Sequence, residues 1–224
     1  MVRRSEHVRR VMDLAREEAA KFGHRFVGPE HLVLGVLRDG GSEAARVLGA
    51  HGVDLEAARA ALGRLAERGV VPGPRPSDAE LLGMLGIDLD AVRRSTEQTF
   101  SRKALGWAIR EATRRRRGGV GRVPRTPLRD PPVLATQATY LASEQAKALG
   151  RDVVGPELLL LGVIKDIQTP WPRCMRSRWV RQLHASVGLP DGYRGAAGSL
   201  LEMLGVDLDE LGEALVAELG ATVP

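Results

Sequence analysis

The chain has 224 residues and a formal net charge of +5, with 43% hydrophobic and 27% charged residues. That balance belongs to an ordinary globular protein and excludes wholesale disorder. Aromatic residues make up only 4%, so the core must come from Leu, Val and Ala, a composition that favours helices over strands.

The elements follow in chain order. Val8, Val11, Met12, Ala15 and Ala19 recur at three- and four-residue steps and predict an amphipathic helix, stopped by Gly23. The next helix is expected to open at Gly28-Pro29-Glu30. Proline suits the first turn, where no N–H is needed, and the carboxylate suits the positive end of the dipole. Leu32, Val33, Val36 and Leu37 are its expected buried stripe. Asp54, Asp88 and Asp207 each follow a Gly-apolar pair and precede a leucine. Each reads as a helix stop, a tight link and an N-cap. Ser77-Asp78-Ala79-Glu80 reads as a capping box. No hairpin signal of alternating β-branched residues is present.

The chain also repeats itself. LAREEAAKFGHRFVGPEHLVLGVLRD, Leu14 to Asp39, aligns without a gap on LASEQAKALGRDVVGPELLLLGVIKD, Leu141 to Asp166. The stretch from Leu81 to Asp90 matches that from Leu200 to Asp209, and Val47 to Glu56 is a related fragment. Duplication of one multi-helix unit explains these matches. The second copy diverges between Ile167 and Gly198. An all-α fold of two tandem pseudo-repeats follows. Val70–Pro76, with three prolines and a glycine, and the Arg/Gly/Pro-rich stretch from Arg114 to Pro132 read as linkers, and Gln168–Pro172 is a third irregular piece. The expected division is residues 1–113 as the first repeat with extra helices, 114–132 as linker and 133–224 as the divergent second repeat. Whether the two copies pack together is open at this level.

Several kinds of chemistry have no residues to carry them. No lysine precedes Ser or Thr, so there is no phosphate-cradling loop of the ATPase kind. No Gly-x-Ser-x-Gly and no His-Glu-x-x-His occurs. Cys174, the single cysteine, rules out an intramolecular disulfide and fits a reducing compartment. The first residues lack a signal peptide's apolar run, and no stretch is apolar for the roughly 18 residues a membrane span needs. No catalysis, cofactor, metal or membrane association is expected, and the expected location is cytoplasmic.

The repeat carries a family resemblance. The Leu-Ala-x-Glu-Glu-Ala core, the Gly-His, the Gly-x-Glu-His-Leu and the Leu-Gly-Val-Leu between Val8 and Leu37 resemble the Clp repeat. So does the stretch from Ala45 to Leu55. This repeat forms the N-terminal domain of Clp-type unfoldases, and the chain looks like such a domain standing alone, without the ATPase ring. The resemblance implies a compact all-helical module that receives substrates and adaptors and has no catalysis of its own. Its implied partners are Clp protease components, their substrates or adaptors.

Some members of that family recognise phosphorylated arginine. The resemblance puts the glutamate that faces the guanidinium at Glu30 and Glu157, and the hydroxyl that assists with phosphate at Ser5. The second copy has Pro132 at the hydroxyl position. Pro29 and Pro156 replace the usual threonine before the glutamate, and the following histidine survives as His31 but becomes Leu158. The first copy is therefore the expected site. Each of these residues also has a plain structural role, since a carboxylate or a serine at a helix N-terminus stabilises it.

Two other surfaces stand out. Trp171, Trp179 and Leu183 could form an apolar docking patch, although Trp179 and Leu183 at i and i+4 equally make a packed helix face. Arginine supplies nearly all the positive charge, with a run at Arg114–Arg117 and a cluster at Arg173, Arg176, Arg178 and Arg181. The alternative function is thus a basic nucleic-acid-binding regulator. No nucleic-acid motif accompanies the arginines, and solvated helix faces account for them.

Overall fold

The computed structural model describes residues 2–73, 86–88, 91–92, 94–96, 135–170, 181–182, 184–185, 189–190 and 192–221. The chain divides into two compact units, one formed by Met1–Arg75 with Asp130–Pro224 and the other by Pro76–Arg129.

In the first unit the order is β1 (Arg3–Arg4), α1 (Glu6–Lys21), α2 (Pro29–Asp39), α3 (Glu43–Ala50) and α4 (Leu55–Glu67). Then come α5 (Thr136–Ala148), β2 (Val153–Val154), α6 (Pro156–Gln168), α7 (Ala197–Met203) and α8 (Leu208–Ala221). Among the described residues the fold is all-α apart from one pair of two-residue strands, and α1–α4 and α5–α8 are the two copies of one four-helix pattern.

Local chemistry sets the ends. The Ser5 hydroxyl accepts the Val8 N–H at 3.0 Å and caps α1. Gly28 and Gly155 cap α2 and α6, with Pro29 and Pro156 in the first turn. The stop-link-cap device recurs as the sequence indicates. Gly52 and Gly205 sit at positive φ, Val53 and Val206 are buried, and Asp54 and Asp207 accept N–H groups of Ala57 and Glu210. In the second unit Gly86 and Asp88 repeat it, the Asp88 carboxylate accepting the Ala91 N–H at 3.0 Å.

The core sits where the two central helices cross their partners. Val8, Val11, Met12, Ala15 and Ala19 of α1 are buried against α2. α2 buries Leu32, Val33 and Val36 of the expected stripe while Leu37 is only partly buried, and Leu34 and Gly35 are enclosed as well. A Cβ on Gly35 would lie 2.5 Å from the Val11 carbonyl oxygen, so only glycine permits this crossing. Gly162 of α6 meets Ala138 and Ala142 in the same way. The Gly35–Gly162 match is therefore a repeated helix crossing.

The two copies interlock. α2 packs on α6, α3 reaches α6 and α8, and α7 reaches α2 and α4. β1 of the first copy pairs in parallel with β2 of the second, Arg3 opposite Val153 and Arg4 opposite Val154. The Ser5 N–H donates to the Val154 carbonyl at 3.1 Å, and reciprocally the Ala135 N–H donates to the Val27 carbonyl at 3.4 Å.

One buried charge ties the first copy together. Glu18 is fully buried, and Arg59 of α4 reaches both its oxygens at 2.6 and 2.9 Å. Lys21 donates to it at 2.9 Å, and Arg38 of α2 lies 3.2 Å away. Burial alone would raise this carboxyl, but hydrogen bonds and charge from Arg59 and Lys21 outweigh it and hold it at about 2. Gln145 stands at the corresponding position in α5, and among the described residues of the second copy no such network forms.

Candidate functional site

The strand exchange decides which candidate residues meet. Along the chain Ser5 precedes Glu30, but in space Ser5 is bonded to Val154, three residues before Glu157. The β1–β2 seam thus brings the hydroxyl of one copy to the edge that leads into the carboxylate of the other. A groove of about 690 Å³ opens here, lined by Val2, Arg3, Arg4, Ser5, Glu6, Arg9 and Val153. Three arginines and the N-terminal end of α1 give it a positive field. Glu157 is half-buried at the start of α6, its carboxylate folded over Gly155.

The equivalent carboxylate of the first copy has a different environment. Glu30 has no solvent exposure. Its Oε2 accepts the Ala196 N–H at 2.9 Å, and its Oε1 accepts from the Tyr193 hydroxyl at 3.4 Å. Burial pushes this carboxyl up, against the opposing hydrogen bonds from Ala196, its own backbone and Tyr193. Tyr193 also meets the Phe26 ring edge-on, with centroids 5.7 Å apart. Arg194, the next residue, donates to the Thr169 carbonyl at 2.6 Å and to the Asp166 carbonyl. The segment 192–196 of the second copy therefore bridges the start of α2 and the end of α6.

Behind Glu30 lies a buried histidine pair. The Gly28 N–H donates to His31 Nδ1 at 2.9 Å, which places the His31 proton on Nε2. That Nε2–H donates to His24 Nδ1 at 2.9 Å, and His24 Nε2–H then has no partner. Burial lowers both, His24 to about 4, helped by His31, and His31 to about 3. Both are neutral at pH 7. His24 stacks between Phe22 and Phe26. The pair finishes the capping of α2 and completes the packing beneath Glu30.

Among the sequence candidates, Ser5 lies on the seam, Glu157 stands three residues beyond the Val154 carbonyl that Ser5 bonds, and Glu30 is enclosed elsewhere. The residue that caps α5 is Ala135, which has no hydroxyl to offer beside Glu30. Trp171, Trp179 and Leu183 lie outside the described residues, as do Pro132, Cys174, the Arg114–Arg117 run and the arginines at 173, 176 and 178. Arg181 is described and exposed. Among the described residues no helix is long and apolar enough to cross a membrane. Sequence reading missed Tyr193, Arg194 and the Glu18–Arg59 pair. The only sequence signal for the first two is the Gly192-Tyr193-Arg194-Gly195 spacing, two glycines around a large ring and a cation.

Residues 3–79 match the Clp repeat (R) N-terminal domain family. By that match, residues 3–79 form a Clp repeat N-terminal domain. The chaperone protein ClpB of Oceanobacillus iheyensis is 49% identical over 51 residues, 23% of this chain and 6% of that protein. The ATP-dependent Clp protease ATP-binding subunit ClpA homolog of Cyanidium caldarium is 28% identical over 218 residues, 97% of this chain and 16% of that protein. The chain thus spans less than a fifth of the length of these relatives. The crystal structure of the N-terminal domain of the caseinolytic protease associated chaperone ClpD from Arabidopsis thaliana superposes with a TM-score of 0.51. The match covers 97% of each chain at 17% identity, so it shows the shared Clp N-terminal fold. The likeness extends across the second copy, which the family match to residues 3–79 leaves out.

Proposed function

We propose that this Clp-type module is a non-catalytic binder of substrates and adaptors in regulated proteolysis, and that it reads phosphorylated arginine at the seam between its two copies. The observation that carries this reading is the β1–β2 pairing, which places the Ser5 hydroxyl and a groove lined by Arg3, Arg4 and Arg9 next to the segment entering Glu157. A phosphoguanidinium needs this combination: donors and positive charge for the phosphate, and a carboxylate for the guanidinium. Glu157 has the solvent access such a ligand requires.

The test is a calorimetric titration of the full chain with free phosphoarginine, beside Ser5→Ala and Glu157→Gln. Loss of a charged hydrogen bond costs about 1.5–3 kcal/mol. Glu157→Gln is therefore expected to weaken binding about tenfold to a hundredfold, and Ser5→Ala by less. A folded sample that shows no heat of binding refutes the phosphoarginine reading and leaves a module whose ligand is a protein surface.

A further inference from the structure

We infer that the chain has one open ligand site where its duplication provides two, because the segment Gly192–Ala196 occupies the Glu30 site from within. The inference rests on the phosphoarginine reading for its ligand and on the packing around Glu30 for its mechanism.

The two glutamates occupy equivalent places, each one residue after the proline that opens its helix. Glu157 is half-buried and Glu30 is wholly enclosed. What encloses Glu30 is a strap from the other copy that makes the contacts a ligand would make. Its Ala196 N–H and Tyr193 O–H both donate to the carboxylate, as a guanidinium would. The Tyr193 ring lies against Phe26, so an apolar contact accompanies the polar ones.

The strap is built to come this close. Gly195 has φ +96, a conformation other residues avoid, and a Cβ there would lie 2.8 Å from Glu30 Oε2 and run into the Pro29 ring. Gly192, at the other end, has φ +79. Two glycines thus bracket Tyr193 and Arg194. Arg194 anchors the strap to the Thr169 and Asp166 carbonyls at the end of α6. Any guanidinium-bearing ligand must displace this strap to reach Glu30, whereas nothing comparable covers Glu157 among the described residues.

The experiment titrates phosphoarginine into the full chain, into Glu157→Gln, into Gly195→Ala and into Gly195→Ala with Glu30→Gln. Amide hydrogen exchange at Ala196 is followed in parallel. The added methyl of Gly195→Ala runs into Pro29 and Glu30 and expels the strap while both glutamates stay in the sequence. If that variant does not hold the wild-type circular dichroism, Tyr193→Ala takes its place. The expected stoichiometry is one for the wild type, with that binding weakened about tenfold to a hundredfold in Glu157→Gln, and two for Gly195→Ala, with the second site weakened by a similar factor on adding Glu30→Gln. The Ala196 amide is expected to exchange slowly in the wild type and at least about a hundredfold faster in Gly195→Ala. Two equivalents bound by the wild type would overturn the inference. So would an unprotected Ala196 amide in the wild type, or a folded, strap-free variant that still binds one. If no form binds phosphoarginine, the ligand reading fails by itself, and the Ala196 exchange alone decides whether the strap closes the site.

Discussion

Neutralising Glu18 is the sharpest perturbation of this fold. Glu18→Gln keeps the shape of the side chain and removes its charge, leaving the Arg59 guanidinium with a neutral partner. A carboxyl displaced from 4.5 to about 2 is worth about 3 kcal/mol, at about 1.4 kcal/mol per pH unit. Arg59 is a quarter exposed and Lys21 half exposed, so solvent recovers part of their interaction and about 2 kcal/mol remains. For a chain of this size that corresponds to a fall of about 4–8 °C in Tm. The folded value lies below the unfolded one, so the stabilisation is complete above about pH 4.5 and is lost as pH falls toward about 2. Thermal melts of wild type, Glu18→Gln, Arg59→Gln and the double variant at pH 7 and at pH 3 measure all of this, with the cycle isolating the pair. A Glu18→Gln protein that melts with the wild type at pH 7, or a gap as wide at pH 3 as at pH 7, would refute the reasoning.

Other outcomes are equally definite. The neutral His24–His31 pair must take up protons on unfolding, so stability is expected to fall as pH drops from about 6.5 toward about 4, by about 1.4 kcal/mol per pH unit for each histidine. Glu30, whose carboxyl is raised, acts in the opposite sense. Urea unfolding across that range should therefore show a shallower slope in His31→Gln than in the wild type. Gly35→Ala and Gly162→Ala force a methyl into a helix crossing and should each cost about 1–3 kcal/mol, read as a lower urea midpoint. Asp54→Ala and Asp207→Ala each remove an N-cap and should cost about 1 kcal/mol, with little change in the circular dichroism of the folded protein.

The elements were legible because their signals are local. Gly28-Pro29-Glu30 and Gly155-Pro156-Glu157 each announce a helix start in three residues, and the Gly-apolar-Asp device announces a link between helices in another three. The gapless match of Gly35 with Gly162 already contained the crossing, although only the distance to the Val11 carbonyl explains why glycine is needed. The spatial pairing of the candidate residues was not legible in the sequence. Ser5 and Glu30 are neighbours along one copy, so sequence groups them, but the exchanged strand hands Ser5 to the other copy. Tyr193 was out of reach because its contact with Glu30 spans 163 residues and lies in the stretch where the repeat alignment breaks down. The Glu18–Arg59 pair, 41 residues apart, was hidden for a related reason: Arg59 looks like any surface arginine of an amphipathic helix until α4 is placed against α1.

The exchanged strand makes each copy the keystone of the other. Residues 3–5 are held by main-chain bonds to residues 152–154, and Ala135 returns the bond to Val27. A mark bound at that seam would grip both halves at once. It would act as a clamp whose tightening resists the parting of the whole unit, so occupancy would be felt as a rise in global stability and not as the stiffening of one loop.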